Sequence, residues 1–375
     1  MDSLRPRVVA EVSVEAIKHN YKQIRKIVPS HTEIMGIVKA DGYGHGAIEV
    51  SNILQGEGVN RFAVAIAKEG EELRHSGIVS PILVLGYTPR ADIKTLIKND
   101  LTQTVFSYEM AKYISDEAVV LNKTVNIHIK MDTGMGRIGF LSSPQSIEEI
   151  KKIAELPHIN MEGIFTHFST ADEEDVTYTR NQWSIFEGFL KELNEVGIDL
   201  PIIHAANSAA TMYHSYAHLN VVRPGIILYG YYPSHFLQNQ IIDLKPAMTL
   251  KSQVVHVKEL PEGHYVSYGR KYYTHQKTKI ATIPIGYADG YSRRLAGKGR
   301  VLIRGEYAQI VGSICMDQFM VDVSHIQDVR VEDEVVIFGK QGDKCIPIEE
   351  IAEGLDTINY EIMCMIGKRV PRLYI

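Results

Sequence analysis

The sequence has few cysteines, no strongly basic block and no long apolar run, and each absence narrows the possible functions. Three cysteines among 375 residues are too few and too scattered for a disulfide framework or a zinc site. The formal net charge is −5 and Lys and Arg form no block, so nucleic acid is not expected as a partner. No run of 18 apolar residues could span a bilayer, and residues 1–7 lack the apolar core of a signal peptide. These features predict a cytoplasmic, reduced protein with no metal site and no membrane partner.

The chain is longer than one hydrophobic core usually supports, so two domains are predicted. Between residues 33 and 230, short apolar runs alternate with helical patterns. The predicted strands are 33–39, 62–66, 81–86, 102–106, 124–131, 160–167, 201–206 and 221–229. Eight strand-then-helix units in about 200 residues are typical of an α/β fold of the (β/α)8 TIM-barrel type. A doubly wound open sheet is the alternative, but no G-x-G-x-x-G follows the first strand.

The pattern changes after residue 233, where short β-type runs are separated by turns that contain glycine and proline. The runs are 250–257, 279–284, 301–303, 309–311, 319–323 and 334–338. They predict a C-terminal, mostly-β domain over 241–375 that follows a barrel domain over 1–240. The alternating segment Val8 to Val14 precedes the first barrel helix, so residues 1–14 could instead join the β domain.

The chemistry of a barrel enzyme lies at the C-terminal ends of its strands. Lys39 follows the apolar run 34–38 and begins a glycine-spaced turn, A-D-G-Y-G-H-G. A lone lysine at a strand end is more often simply solvated. Where the lysine is withheld from water, however, desolvation lowers its pKa and leaves a free amine that can form a Schiff base. Polar or glycine residues occupy other predicted strand ends as well: Lys130, Arg137, His167, Asn207, Ser208, Arg223, Gly225 and Ile226. A phosphate near Ser208 and the backbone at Gly225 and Ile226, together with a reactive lysine, indicates pyridoxal phosphate.

Nine motifs extend this pattern over nearly the whole chain. They are V-K-A-D-G-Y-G-H-G (38–46), K-M-D-T-G-M-G-R-I-G-F (130–140), F-T-H-F (165–168), H-A-A-N-S-A-A (204–210), R-P-G-I-I-L-Y-G (223–230), V-S-Y-G (266–269), G-Y-A-D-G (286–290), C-M-D-Q (315–318) and T-I-N-Y-E (357–361). In this order they resemble the alanine racemases, which are pyridoxal-phosphate enzymes with an N-terminal barrel and a C-terminal β domain. The resemblance implies interconversion of L-alanine and D-alanine, with D-alanine supplied for cell-wall peptidoglycan.

The resemblance also implies two catalytic bases. Lys39 would hold the cofactor as a Schiff base and act on one face of the substrate Cα. Tyr268 of the partner subunit would act on the opposite face, as racemisation requires. A homodimer with shared active sites is therefore expected.

Further roles are implied for the barrel motifs. Arg223 would face the pyridine nitrogen and leave it unprotonated, since an arginine does not release its proton at working pH. His167 would link Tyr268 to Arg223. Arg137 would contact the cofactor's phenolic oxygen and the substrate carboxylate. Lys130 often carries a carbamate in this family.

The remaining implied contacts involve the phosphate and the substrate. The phosphate would be bound by a set of hydroxyls and amides: Tyr43, Ser208, Tyr360, Gly225 and Ile226. Tyr287 and the Met316 backbone, both from the partner subunit, would line the substrate pocket. One position departs from the family pattern, because Ser313 stands where an arginine is common; it would change the outer substrate corridor.

Three other functions compete with this interpretation. A broader racemase that accepts serine is the main alternative, but Tyr360 argues against it because a smaller residue would leave room for a hydroxyl. A non-catalytic pyridoxal-phosphate carrier would lack the β domain. A decarboxylase with the same two domains should present a cysteine and an acidic residue to the substrate, and V-S-Y-G is not its pattern.

Overall fold

The computed structural model describes residues 6–234 and 241–375, which divide into two compact units. One unit, called here the β unit, contains the described residues of Met1–Glu15, Tyr43–His45 and Pro246–Ile375. The other, the barrel unit, contains those of Ala16–Gly42 and Gly46–Lys245. Among these described residues, no helix has both the length and the apolar character needed to cross a membrane.

The two units are built from the following elements. The strands are β1 (Val8–Val12), β2 (Glu33–Ile37), β3 (Arg61–Val64), β4 (Ile82–Val84), β5 (Thr102–Val105), β6 (Val125–Lys130), β7 (Ile159–Phe165), β8 (Ile202–His204), β9 (Val221–Val222), β10 (Met248–Gln253), β11 (His256–Leu260), β12 (Tyr265–Val266), β13 (Tyr272–Tyr273), β14 (Thr278–Ile283), β15 (Arg300–Ile303), β16 (Glu306–Val311), β17 (Phe319–Asp322), β18 (Glu334–Gln341), β19 (Lys344–Ile346) and β20 (Arg372–Tyr374). The helical segments are α1 (Val14–Ile27), α2 (Lys39–Tyr43), α3 (Ala47–Gly56), α4 (Ala67–His75), α5 (Ile93–Lys98), α6 (Tyr108–Leu121), α7 (Pro144–Ala154), α8 (Thr177–Glu195), α9 (Ser208–Tyr213), α10 (Ile348–Leu355) and α11 (Asn359–Met365).

The barrel unit is built on one parallel sheet in the order β8-β7-β6-β5-β4-β3-β2-β9. The two ends of this sheet approach each other. The amide of Asn220 donates to the carbonyl of Ile203 over 3.2 Å, and that of Arg223 donates to Ala206 over 2.9 Å. These bonds nearly close the sheet into a barrel. The predicted TIM-type barrel is therefore confirmed, and the open doubly wound sheet is wrong.

Two predicted strand ends at the barrel mouth are wrong. Strand β2 ends at Ile37, and Lys39 begins α2, a single left-handed turn with φ of 53° at Ala40 and 60° at Gly42. Left-handed backbone is costly outside glycine, so such a turn persists only where its surroundings hold it. Strand β9 covers only Val221–Val222, and Arg223 lies in the loop that follows it.

The three- and four-residue steps at Ile147, Ile150, Ile153 and Ala154, and at Trp183, Phe186, Phe189, Leu190 and Leu193, predict one buried face on each of two helices. Both helices form, but Ala154 is exposed, and Trp183 and Leu190 are only half-buried. In α7, Ile147, Ile150 and Ile153 are buried at three-residue steps, as a helix packed on one side requires. The hydroxyl of Ser143 accepts a hydrogen bond from the Ser146 amide, and this contact begins the helix. The helical pattern predicted around Trp183 lies within α8.

The β unit contains a large mixed sheet in the order β11-β14-β17-β16-β15-β18-β10-β1-β20. Strand β1 pairs antiparallel with β10 and parallel with β20. The predicted run 250–257 is interrupted between β10 and β11, where the Val254 amide bonds to Asp333 and the Val255 amide to Thr282. Strands β12 and β13 form a separate two-stranded ribbon. This ribbon, the helices α10 and α11 and the final strand β20 were not predicted.

Candidate active site

The backbone around Lys39 is held by a carboxylate from a neighbouring helix. Glu69, on α4, accepts a hydrogen bond from the Ala40 amide at 2.6 Å. It also accepts from the amides of Ala65 at 2.7 Å and Ile66 at 3.3 Å. Carboxylate-to-amide bonds are charge-assisted and stronger than neutral ones. Glu69 therefore joins the left-handed turn of Lys39 to the loop after β3.

Arg223 lies buried in the barrel, with only 4% of its surface exposed. One guanidinium nitrogen, Nη1, donates to Nδ1 of His204 at 2.9 Å. The other, Nη2, lies 2.8 Å from the carbonyl oxygen of Thr166, 3.0 Å from that of Ala205 and 3.3 Å from Nδ1 of His167. The ends of two neighbouring strands, β7 and β8, thus fix the plane of the guanidinium.

A chain of neutral imidazoles continues from Arg223 into the barrel. Because an arginine can only donate, Nδ1 of His204 must accept, and its Nε2–H donates to Nδ1 of His128 at 2.8 Å. Nε2 of His128 in turn donates to Glu162 at 3.3 Å, and Glu162 lies 3.2 Å from Arg61. Burial lowers the pKa of His128 and holds that of His204 well below its ordinary value. Each proton position in this chain is therefore set by its neighbours.

His167 is also neutral, and its tautomer is fixed. Its Nδ1 accepts from Arg223, so Nε2 carries the proton and is a donor. Burial lowers the pKa of His167 most, and the positive charges of Arg223, Arg137, Lys130 and Lys39 lower it further. His167 therefore presents an N–H group without adding another positive charge.

Several positively charged side chains lie near one another in this barrel, and their effect on each other's pKa shows whether an anionic ligand would fit. Burial and the charge of Arg223 lower the pKa of Lys130 to about 7, whereas Asp132 raises it. Burial and Arg137 lower the pKa of Arg223 to about 9, so the guanidinium stays charged at neutral pH. A phosphate or a carboxylate would relieve this excess positive charge. The donor set therefore fits a phosphorylated aldehyde together with an amino acid.

Arg137 is carried by a loop that Asp132 organises. Oδ1 of Asp132 accepts hydrogen bonds from the amides of Gly134 and Gly136, each at 3.0 Å. A Cβ atom added to Gly139 would lie 2.4 Å from the Asp132 amide nitrogen. Only glycine fits this close approach, so the spacing of K-M-D-T-G-M-G-R-I-G-F serves the loop that presents Arg137.

Ser208, Gly225 and Ile226 meet at one corner of the barrel unit. The Gly225 amide donates to the Ser208 hydroxyl at 2.8 Å, and all three residues are buried. Ile226 begins a 3-10 turn, so the first amides there have no earlier turn to bond. Asn207, named from the sequence as a strand-end residue, caps α9 by accepting from the Ala210 amide. The Ser208 hydroxyl and the backbone amides of Gly225 and Ile226 could therefore donate hydrogen bonds to a phosphate at this corner.

Two of the predicted substrate residues lie together in the β unit. The Tyr287 amide donates to the Cys315 carbonyl at 3.2 Å, and the Ala288 amide donates to Met316 at 3.0 Å. The side chains of Tyr287 and Met316 are 44% and 53% exposed. Asp289 accepts from the Gly286 amide at 3.1 Å and so braces the same turn.

The other predicted residues of the β unit form two separate groups. Tyr43 is buried, and its ring centroid lies 6.1 Å from that of Tyr360. Burial raises the pKa of Tyr43, so its hydroxyl stays protonated and can donate. Tyr268 is 69% exposed at the end of the β12–β13 ribbon. Ser313, expected near a substrate corridor, is buried and donates to the Tyr268 carbonyl at 3.0 Å.

Sequence reasoning missed Glu69, His128, Glu162 and the role of His204. Glu69 had a local signal, because an acidic residue three positions after Ile66 matches the spacing of a helix-capping carboxylate. His204 lies within H-A-A-N-S-A-A but was given no role. The pairing of His128 with Glu162 joins adjacent strands and has no comparable local signal.

Comparisons with known proteins identify the family and the fold. The family model for the alanine racemase N-terminal domain matches residues 12–233, and that for the C-terminal domain matches residues 247–374. Alanine racemase 1 of Clostridium acetobutylicum is 51% identical over 99% of this chain and 96% of its own length. The alanine racemase of Methanococcus maripaludis is 52% identical over 98% of both chains. The solved alanine racemase of Clostridium difficile 630 superposes with a TM-score of 0.96 at 44% identity, covering 100% of this chain and 97% of its own.

Proposed function

The chain belongs to the alanine racemase family, and from this membership and the barrel geometry we infer that it is a pyridoxal-phosphate-dependent isomerase that interconverts L-alanine and D-alanine. The observation that carries the assignment is the buried Arg223, held by His204 and His167 amid an excess of positive charge. When bound, pyridoxal phosphate withdraws electrons from the substrate and makes its Cα proton removable. The D-alanine produced would supply cell-wall peptidoglycan.

Lys39 and Tyr268 are the proposed bases. Lys39 holds the cofactor covalently and exchanges a proton on the face from which D-alanine is deprotonated. Tyr268 of the partner subunit exchanges a proton on the L-alanine face. Two bases on opposite faces invert the Cα centre without moving the substrate.

Arg223 and His167 have complementary roles in this scheme. Arg223 donates to the pyridine nitrogen and does not transfer a proton to it, because the guanidinium remains charged at neutral pH. By leaving the pyridine nitrogen unprotonated, Arg223 would limit the electron withdrawal that the cofactor supplies and so disfavour side reactions. Nε2–H of His167 stabilises the Tyr268 phenolate, while its Nδ1 accepts from Arg223.

Arg137 and Lys130 complete the barrel part of the site. Arg137 binds the cofactor's phenolic oxygen and the substrate carboxylate. Lys130 is a candidate for carbamylation, because CO2 reacts only with a free amine and the pKa of this lysine is lowered to about 7. A carbamate there would place a negative charge that holds Arg137.

The phosphate and substrate contacts follow from the same family membership. Ser208 and the Gly225 and Ile226 amides bind the phosphate, with the hydroxyls of Tyr43 and Tyr360 as further ligands. Tyr287 and Met316 of the partner subunit line the substrate pocket. The exposure of Tyr287 and Met316 supports their use by another subunit.

Assembly, domain borders and location are part of the proposal. The active unit is a homodimer with shared active sites. The cofactor-binding barrel spans residues 1–240 and the β domain spans 241–375, and the pairing of β1 with β10 supports moving residues 1–14 to the β domain. A cytoplasmic location is supported by the low cysteine content, three in 375 residues.

Serine is not favoured as the main substrate. The curated relatives that match at about half identity are named alanine racemases. Tyr360 also argues against serine, because a smaller residue there would be needed to leave room for a hydroxyl.

The test follows each base separately in the purified holoenzyme. Loss of deuterium from L-[2-²H]alanine and D-[2-²H]alanine is measured by NMR, and net conversion is measured by chiral chromatography. Tyr268→Phe should slow the L-side rate by about 100-fold or more while the D-side rate persists. Tyr265→Phe is the matched control, since Tyr265 is an exposed tyrosine on the same ribbon.

Two results would contradict the assignment. Borohydride reduction followed by peptide mapping should label Lys39, and a label on Lys130 would overturn its role. An equal fall of both exchange rates in Tyr268→Phe would show that the bases do not divide the two faces.

A further inference from the structure

Tyr268 stands on a turn whose backbone is unusual on both sides. Ser267 has φ 66° and ψ −176°, Gly269 has φ 73° and Arg270 has φ 52°. Positive φ is unfavourable for serine and arginine, so this turn needs support from elsewhere. The Tyr268 side chain is 69% exposed and receives little support from packing.

Two serines supply that support through crossed hydrogen bonds. The Ser267 hydroxyl donates to the carbonyl of Ser313 at 2.6 Å. The Ser313 hydroxyl donates to the carbonyl of Tyr268 at 3.0 Å. The side chain of each serine therefore donates a hydrogen bond to the backbone of the segment that contains the other serine. Together the two bonds hold the backbone immediately before and immediately after the Tyr268 Cα.

The segment that carries Ser313 is buried and closely packed. Ser313 is 1% exposed and follows the end of β16. Its neighbour Gly312 has φ 73°, and a Cβ atom there would lie 2.6 Å from the Val266 carbonyl oxygen. Val266 packs in a buried cluster with Ile280 and Val311. The Ser313 hydroxyl thus connects the Tyr268 turn to the core of the β unit.

We propose that Ser267 and Ser313 are positioning residues that hold Tyr268 at the angle required for proton transfer on the L-alanine face. This inference rests on the proposed role of Tyr268 as that base. The serines touch neither substrate nor cofactor and act only through the Tyr268 backbone. Their loss should therefore affect one face of the reaction and leave the other nearly unchanged.

The experiment compares Ser313→Ala and Ser267→Gly with the wild-type holoenzyme. Ser267→Gly removes the hydroxyl while placing glycine where φ is positive, so it should fold even if Ser313→Ala does not. Ser324→Ala is the control, because its hydroxyl bonds to Asp322 at 2.6 Å elsewhere in the β unit. Loss of one neutral hydrogen bond predicts an L-side deuterium-exchange rate reduced by about 2- to 10-fold, with the D-side rate nearly unchanged.

A second readout uses the apoprotein labelled with 3-fluorotyrosine. The ¹⁹F resonance that disappears in Tyr268→Phe identifies Tyr268. This resonance should shift and narrow in Ser313→Ala and Ser267→Gly as the turn becomes mobile, and should stay unchanged in Ser324→Ala. It depends on neither cofactor nor turnover.

The outcomes separate this inference from the proposed function. A selective loss on the L-side together with a changed fluorine resonance supports it. Equal losses on both sides, an unchanged L-side rate or an unchanged resonance overturns it. If Tyr268→Phe itself leaves the L-side rate intact, the role of Tyr268 is wrong, and the serines have no base to position.

Discussion

Replacing Glu69 with alanine should misplace Lys39 without unfolding the barrel. Its carboxylate is the acceptor for the Ala40 amide and for two amides after β3, at 2.6 to 3.3 Å. A hydrogen bond to a charged group contributes about 1.5–3 kcal/mol. Each left-handed non-glycine residue costs about 1–2 kcal/mol, so the turn that follows Lys39 has reason to relax once the carboxylate is gone.

The size of the effect follows from the Ala40 bond alone. A loss of about 1.5–3 kcal/mol corresponds to about 10- to 150-fold in the fraction of chains with Lys39 correctly placed. That loss should appear as weaker pyridoxal phosphate binding and a lower kcat. The KM for alanine should change less, because Glu69 contacts neither substrate nor any group proposed to bind it.

The assay measures cofactor affinity by equilibrium dialysis and racemisation by chiral chromatography, with urea denaturation as a check on folding. Glu72→Ala is the matched control, since Glu72 is an exposed acid on the same helix. Glu69→Gln should be intermediate, because an amide retains one accepting oxygen. If Glu69→Ala behaved like Glu72→Ala, Glu69 would not be what holds the Lys39 turn.

Three further predictions concern the charge, the histidines and the assembly. Lys130→Arg should keep a cation but abolish any carbamate signal in ¹³C NMR with labelled bicarbonate; wild-type protein without that signal at pH 8 would contradict carbamylation. The free energy of unfolding should fall as the pH drops below about 6.5. Burial holds the pKa of His204 well below its ordinary value, so His204 takes up a proton in the unfolded chain at a pH where it stays neutral in the folded one. Replacing His204 with Phe should flatten this slope in urea titrations while lowering stability by about 1–3 kcal/mol, as Arg223 loses an acceptor; an unchanged slope would show that His204 does not cause it. Mixed subunits of Lys39→Ala and Tyr268→Ala should regain activity, and a stable but inactive mixed dimer would place both bases in one chain.

The order of the barrel elements was predictable, and some of their ends were not. Apolar runs and three-residue helix steps are local signals, and they identified every strand from β2 to β9 and the buried face of α7. The ends at Lys39 and Arg223 were misplaced because long-range contacts set them. A left-handed turn held by Glu69 has no signature in the residues of the turn itself.

The candidate site was predictable only as a set of residues. Arg223 and His167 were named from motifs, but the direction of their hydrogen bond depends on geometry. Ser313 was expected near the outer substrate corridor, and its position in the sequence could not show that its hydroxyl is buried. It lies 1% exposed because Gly312 lets two backbone segments approach closely.

Strand β1 has a consequence for how the chain is made. The partners of Val8–Val12 are β10 and β20, and β20 is synthesised about 360 residues after this strand. At about 5–20 residues per second, that interval lasts about 20–70 s. The barrel strands are all complete by Val222, so the parallel sheet can form during synthesis while β1 still lacks both neighbours. A mostly apolar five-residue strand without its neighbours is prone to pairing with other chains. Slow translation of the last third of the chain should therefore lower the yield of folded protein more than slow translation of the barrel's loops.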